Sequence, residues 1–232
     1  MPYTYNKIYI IQIIVIILLL IAPLQSQIGI KSGPVISDIV FLVEGQTPYL
    51  GYEINSLTHR LPYLTYQFGI FKTFKLNKRF DFQPELLFTK KGLNYSMNFI
   101  YDDITYIIKM YYLEVPLLMK YNIGKKKQFA LLVGPYGSYM INTERMRKIE
   151  GELVKDKMSN VRKFDFGIAA SLSYDFNYNK NHFNLDFRTT YSLVNIMDYL
   201  EDYVLRYYGP DKERARHANI ALTIGYYFPP VK

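Results

Sequence analysis

The chain has 232 residues and is 50% hydrophobic and 17% aromatic, with 24 Tyr, 15 Phe and no Trp. That excludes a disordered tail, which lacks the apolar residues a core needs, and the absence of Cys excludes a disulfide framework, a thiolate metal site and a cysteine nucleophile. The formal charge of +8 is spread along the chain and gives no support to nucleic acid as a partner.

The first segment reads as a targeting signal. Lys7 precedes an apolar run from Ile8 to Ala22 broken only by Gln12, and Pro23 and a short polar stretch follow, ending at Ser26 and Gln27. This is the three-part pattern of a secretory signal peptide. The run falls short of the about 20 apolar residues a spanning helix needs. The expected organisation is a signal peptide over 1–26 and one exported domain over 27–232.

Period two governs that domain. Weaker alternation marks strands at about 27–36 and 62–74. In RFDFQPELLFTK, Phe80, Phe82, Pro84, Leu86 and Phe88 oppose Asp81, Gln83, Glu85, Leu87 and Thr89. In YYLEVPLLMKYNI the odd positions from Tyr111 to Ile123 are apolar or aromatic, with Glu114, Lys120 and Asn122 on the other face. A weaker strand follows at about 128–141. The next runs from Phe164 to Phe176, with Phe166, Ile168 and Leu172 against Asp165, Ser171 and Asp175. Phe183, Leu185, Phe187 and Tyr191 then oppose Asn184, Asp186 and Arg188, and Ile220, Leu222 and Ile224 oppose Asn219, Ala221 and Thr223. Such alternation is the signature of a strand with one apolar face.

Eight strands result, and their connections alternate in length. The gaps at 37–61, 90–110, 142–161 and 195–217 are long, and those at 75–79, 124–127 and 177–181 are short. This is the plan of an all-β, eight-stranded antiparallel up-and-down transmembrane barrel, with long outer loops and short periplasmic turns. A soluble ligand-binding barrel would carry its apolar face inward. Here the apolar face is bulky and the opposite face mixes Gly, Ala, Ser and Thr with single charges. An eight-stranded interior has room only for side chains, so the small, charged face is expected inside and the bulky face against lipid. The tyrosines suit the aromatic girdles at the bilayer interfaces.

The succession FDFQPELLFTKKG, YYLEVPLLMKYN, LLVGPYGSYM and FDFGIAASLSYDF resembles the PorT-like outer-membrane β-barrel family of Gram-negative bacteria, over about 27–228. The most specific pieces are Gln-Pro-Glu-Leu-Leu at 83–87 with Lys91-Gly92, and Leu-Glu-Val-Pro-Leu at 113–117. The resemblance implies an eight-stranded barrel in the outer membrane and no single activity; some members resemble secretion or gliding components. Thr223, Gly225 and Phe228 resemble the C-terminal signal read by the barrel-assembly machinery, although Pro-Pro-Val-Lys follows where that signal ends on an aromatic.

A search for chemistry gives no catalytic group, metal site or cofactor site, and the chain reads as a non-enzyme. His59 and His217 fall in expected outer loops and His182 opens a strand, so all three read as solvated surface residues, with no partner at ligand spacing. Gly134-Pro135-Tyr136-Gly137-Ser138 lacks the Gly-x-Ser-x-Gly pattern of a nucleophile elbow. Asp102-Asp103 reads as a hairpin turn. Lys31, Glu85, Glu114, Lys120, Asp186 and Arg188 all have inward parity. They are expected to form a salt-bridged plug rather than an ion path, with Arg188 pairing Glu85 or Glu114. Lys72 has lipid parity but lies close to a periplasmic turn, where it can snorkel.

Specific function is therefore expected in the outer loops. Residues 142–161 mix Arg145, Arg147, Lys148, Lys155 and Lys157 with Glu144, Glu150, Glu152 and Asp156, and read as a solvated loop beside lipopolysaccharide rather than a phosphate-binding cluster. Two function classes stand: a structural or binding barrel surrounded by outer-membrane lipid and lipopolysaccharide, or a component of an envelope secretion or gliding machine with a protein partner. In the fourth loop, Ile196, Tyr199, Leu200, Tyr203, Val204 and Tyr207 recur at helical spacing after Asn195, a plausible N-cap, and Gly209-Pro210 supplies a stop. The expected helix presents Tyr199, Leu200, Tyr203 and Tyr207 as a docking surface; the alternative is a strand extension. Leu200→Pro should abolish amide-exchange protection over 196–208 while the barrel still assembles, and an unprotected wild-type segment would exclude the helix.

Overall fold

The ladders of the barrel follow from the alternation. A computed structural model describes residues 26–42, 58–98, 103–124, 127–149, 152–156, 161–196 and 214–229. The strands are β1 (Ser26–Leu42), β2 (Thr58–Leu61), β3 (Tyr63–Lys75), β4 (Phe80–Asn98), β5 (Asp103–Ile123), β6 (Phe129–Ile149), β7 (Glu152–Asp156), β8 (Phe164–Tyr178), β9 (Asn181–Ser192) and β10 (Arg214–Tyr227). Eight of them form a closed antiparallel ring in the order β1, β3, β4, β5, β6, β8, β9, β10. The seam pairs β1 with β10, from Gly29 opposite Tyr227 to Leu42 opposite Arg214. The short β2 and β7 add to β4 and β6 above the ring. Closure leaves no unpaired edge in the wall, which a lipid environment requires because it offers no hydrogen-bond partner.

The two faces separate by parity. Outward positions are exposed and apolar: Phe68 (49%), Phe187 (54%) and Ile224 (53%) lie in a continuous belt with Ile70, Leu117, Val133, Ile168 and Leu222. An apolar surface of that extent is not sustained in water and is the expected lipid face. Inward positions carry the buried charges. They also carry Phe71, Leu87, Tyr112, Leu118, Leu132, Tyr136 and Tyr227, so the interior is bulkier than the expected small, charged lining. Glycines make the room: a Cβ on Gly29 would run into the Phe71 ring, and one on Gly167 into the Tyr136 ring.

The short turns lie where expected. Asn77 accepts from the backbone amides of Arg79 and Phe80, and Asn179 and Lys180 form a two-residue turn with φ of 48° and 68°. The long gaps, in contrast, are largely strand. The β4–β5 ladder continues to Asn98 opposite Asp103, so 90–110 is a hairpin arm, and β5 and β6 are each 21 residues long. At about 3.4 Å per residue they run about 70 Å and rise well past a hydrocarbon core of about 30 Å. Residues 142–149 continue β6, and 145–149 pair with 152–156 of β7 instead of forming an irregular loop. Beyond the bilayer both faces meet water, so the ladder persists while the apolar alternation stops. A β-bulge adds to the loss: Tyr111 faces Asn142 and Tyr112 faces Met140, leaving Ile141 as an extra residue that inverts the parity above it. Residues 1–25 of the expected signal peptide over 1–26, and Tyr199, Leu200, Tyr203 and Tyr207, lie outside the described residues.

Arg at Phe187 or Leu222 should cost about 2–4 kcal/mol near the midplane, read from denaturant midpoints in vesicles. The wild type should run faster on gels unheated than boiled, and recovery from the soluble fraction would contradict the lipid-facing assignment.

Candidate functional site

The lumen is built in layers, each from inward positions of several strands. Nearest the short turns lies a cavity of about 410 Å³ whose lining includes Lys75, Asp81, Lys120, Lys127, His182 and Tyr227. Lys120 donates to Asp175 at 2.6 Å, the Tyr227 hydroxyl lies 3.3 Å from both, and the Asn122 amide donates to Asp81 at 2.8 Å. His182 is half-buried, its ring stacked on Tyr227 with centroids 4.3 Å apart.

Above this layer sits a quartet drawn from β1, β4 and β9. Arg188 grips Glu85 with both terminal nitrogens, at 2.7 and 2.9 Å, and Asp186 at 2.6 Å. Lys31 donates to Glu85 and to Asp186, each at 2.9 Å. Gln83 donates to Glu85 at 2.8 Å and accepts from Thr73 at 3.1 Å. Two cations and two carboxylates make the quartet neutral. Charges so deeply buried persist only when paired and hydrogen-bonded.

A second cluster follows. Lys91 lies 2.9 Å from Glu114 and 3.3 Å from Asp165, between the rings of Tyr112 and Tyr136 at 4.9 and 5.0 Å. Asp165 also accepts from the Tyr136 hydroxyl and from Ser192. Between the two clusters the free volume shrinks to about 10 Å³.

The loop end is closed by apolar packing. Ile39, Leu93, Ile108, Met110, Tyr112, Met140, Val161, Ile196 and Ala215 form one buried cluster. Residues 161–163 and 195–196 are laced over it: Arg162 donates its backbone amide to Ile196, Ile196 to Ala215, and Met140 to Lys163. Asn195 does not cap a described helix; its side chain accepts from the amide of Ala215.

Of the six inward charges expected to meet, the structure brings Lys31, Glu85, Asp186 and Arg188 together, passes Glu114 to Lys91, and places Lys120 in the turn-end layer. Lys91, Asp165, Asp81 and Asp175 were missing from that set although each has inward parity. Lys91 falls within the loop expected at 90–110. His217 requires correction. It is an inward residue of β10, fully buried (0% exposed), and its Nε2 lies 3.1 Å from the Tyr112 hydroxyl; the reading as a solvated loop histidine fails because β10 begins at Arg214. The His59 side chain lies outside the described residues. Lys72 is half-buried near the turns, its amine 4.7 Å from the Phe74 ring.

With this geometry in place, the sequence over residues 22–198 matches the family described as the outer membrane protein β-barrel domain. No curated protein matches it. Similar solved structures include the attachment invasion locus protein Ail of Yersinia pestis, at 14% identity over 88% of this chain and 100% of that one, with a TM-score of 0.41. OprG of Pseudomonas aeruginosa is 14% identical over 88% of this chain and 97% of that one, with a TM-score of 0.36. Neisserial surface protein A is 8% identical over 87% and 97%, with a TM-score of 0.37.

Glu85→Gln strands Arg188 and Lys31 with half their carboxylate charge. It should lower the unfolding free energy by about 3–5 kcal/mol, and Glu85→Gln combined with Arg188→Met should recover part of that. Equal midpoints for the wild type and Glu85→Gln in urea titrations would show that the quartet carries no stability.

Proposed function

The chain belongs to the outer membrane protein β-barrel domain family, and on that premise we propose that it is a non-enzymatic outer-membrane barrel that acts through its ends and not through its bore. The outer membrane is the location the family supports. Short turns face the periplasm and long connections the exterior in such barrels, which makes the apolar cap the outer end. One observation carries the reading: the lumen is occupied in succession by the Lys120 layer, the quartet, the Lys91 cluster and the cap, with about 10 Å³ free between the two middle clusters. That is about the room a single water needs, so an ion with its shell of several waters does not pass between them. The interior charges are structural in this reading.

What remains available for binding is the outer rim, where β4, β5, β6 and β7 carry the wall outward. Ligand or partner recognition there fits a scaffold that holds its loops on a rigid closed ring. The finer placement, within the PorT-like group and its envelope machines, rests on the runs at 83–87 and 113–117. These supply Gln83, Glu85 and Glu114 to the lumen and so bear on architecture. Co-purification from crosslinked outer membranes separates the two roles, since a stoichiometric partner favours the machine and a lone barrel the self-contained binder.

In planar bilayers the wild-type protein should give small or no conductance steps. Paired removal of quartet charges, as in Glu85→Ala with Arg188→Ala, should raise the frequency of openings. A large, stable pore from the wild type would overturn the closed-lumen reading.

A further inference from the structure

The turn end carries a ring of unneutralised positive charge. Lys75, Lys78, Arg79, Lys127 and Lys180 are exposed, Lys75 and Lys127 at the mouth of the turn-end cavity, and Lys72 stands half-buried on the lipid side. Among the described residues none of the six is held in an ion pair. The described carboxylates at this end, Asp81 and Asp175, form no ion pair with them. Asp81 is buried and accepts from Asn122, and Asp175 is held inward by Lys120, Asn184 and Tyr227.

Placement decides what such a ring meets. Its cations lie at the β3–β4, β5–β6 and β8–β9 turns, which are two strands apart around the ring. Lys72, Lys75, Lys78 and Arg79 lie at the first of these turns, Lys127 at the second and Lys180 at the third, so the charge reaches around the rim and is densest at β3–β4. Immediately above it runs an aromatic belt. Phe80 meets Tyr121 (5.1 Å), and Phe129 meets Tyr174 (4.8 Å). Phe176 meets Phe183 (5.6 Å), Phe183 meets Tyr226 (5.5 Å), and Tyr226 meets Phe228 (5.6 Å). Rings of this kind sit at the head-group level of a bilayer, so cations within a few residues of them lie at the depth of the lipid phosphates. The Lys72 amine, laid against Phe74, follows the snorkelling geometry that reaches that level.

We propose that this ring is a binding surface for anionic phospholipid head groups of the leaflet at the turn end. The proposal rests on the membrane orientation given above, which makes that leaflet the periplasmic one. Cations close to an anionic surface each strengthen binding by roughly fivefold, so several together select phosphatidylglycerol or cardiolipin over zwitterionic phosphatidylethanolamine.

The test is native mass spectrometry of the full-length protein from outer membranes, in micelles doped with equal phosphatidylglycerol and phosphatidylethanolamine. The wild type should retain the anionic lipid at least about tenfold more. The preference should collapse near 1 M salt, where the screening length falls to about 3 Å. Combined Lys75→Gln, Lys78→Gln, Arg79→Gln, Lys127→Gln and Lys180→Gln should abolish it, whereas Lys155→Gln with Lys163→Gln at the other end should leave it intact. Heat-modifiable gel mobility verifies folding; if the fivefold variant fails that check, Lys78→Gln with Arg79→Gln should still lower the preference measurably. Equal retention of both lipids by the wild type, or an undiminished preference in folded turn-end variants, would overturn the proposal, as would salt-sensitive binding to peptidoglycan sacculi without any lipid preference. Orientation is read separately. The chain has no Cys, so Lys78→Cys should resist an impermeant maleimide in intact cells; labelling would overturn the orientation and with it the assignment to the periplasmic leaflet.

Discussion

The contact on which most else depends is the grip of Arg188 on Glu85 across the lumen. Both side chains are almost wholly buried, and neither charge is tolerable there without the other. Arg188 lies on β9 and Glu85 on β4, with Lys31 on β1 between them in the ring, so the quartet spans three non-adjacent strands. It forms only if every intervening ladder holds its register: Lys31 faces Gly69 on β3 and Gly225 on β10, Glu85 faces Phe71, and Arg188 faces Ala221. A slip of one residue in any of them turns a charge into lipid. The quartet thus penalises wrong registers more strongly than apolar packing would, since apolar side chains accept many neighbours.

The layers around it form a gradient. At the turn end a cavity keeps Lys120 and Asp175 close to water, the quartet is dry and neutral, the Lys91 cluster is shielded by two tyrosine rings, and the far end is apolar. Tyr112 joins the last two, contributing its ring to the cap and its hydroxyl to His217. A polar bore that ends in an apolar stopper is sealed twice, by charge pairing and by exclusion of water. Functional contacts are thereby moved to the rims and to the lipid-facing wall.

The sequence revealed those parts of the fold in which one face meets lipid and the other does not. Alternation located all eight ring strands, their short turns and the inward position of Lys31, Glu85, Asp186 and Arg188. It failed above the bilayer, where β5 and β6 continue with charges on both faces and Ile141 bulges the ladder. Lys91 on β4 and His217 on β10 were lost because each stands on an extension of its strand that reads as loop. The cap was illegible for a different reason. Its members come from five strands and two connecting segments, and no periodicity within any one of them marks Ile196 or Val161 as partners of Ile39. Asp165 is the counterexample: its parity was plain, but nothing local distinguishes a carboxylate that holds Lys91 from one that faces water.

The runs that carry the family resemblance acquire a physical meaning from the lumen. Glu85 belongs to the quartet and Gln83 donates to it, and Lys91 with Glu114 makes the second cluster. Gly92 donates its amide to Ser37 at 3.0 Å, where a side chain would meet the Tyr63 ring and the Ile108 carbonyl. The recognisable residues are therefore those that fill and close the barrel. A resemblance built on them predicts architecture well and carries no information about the ligand, because the residues that touch anything outside the ring lie elsewhere. That separation follows from the size of the barrel: with eight strands the interior is consumed by its own packing, and chemistry directed at other molecules has only the two rims and the outer wall on which to be written.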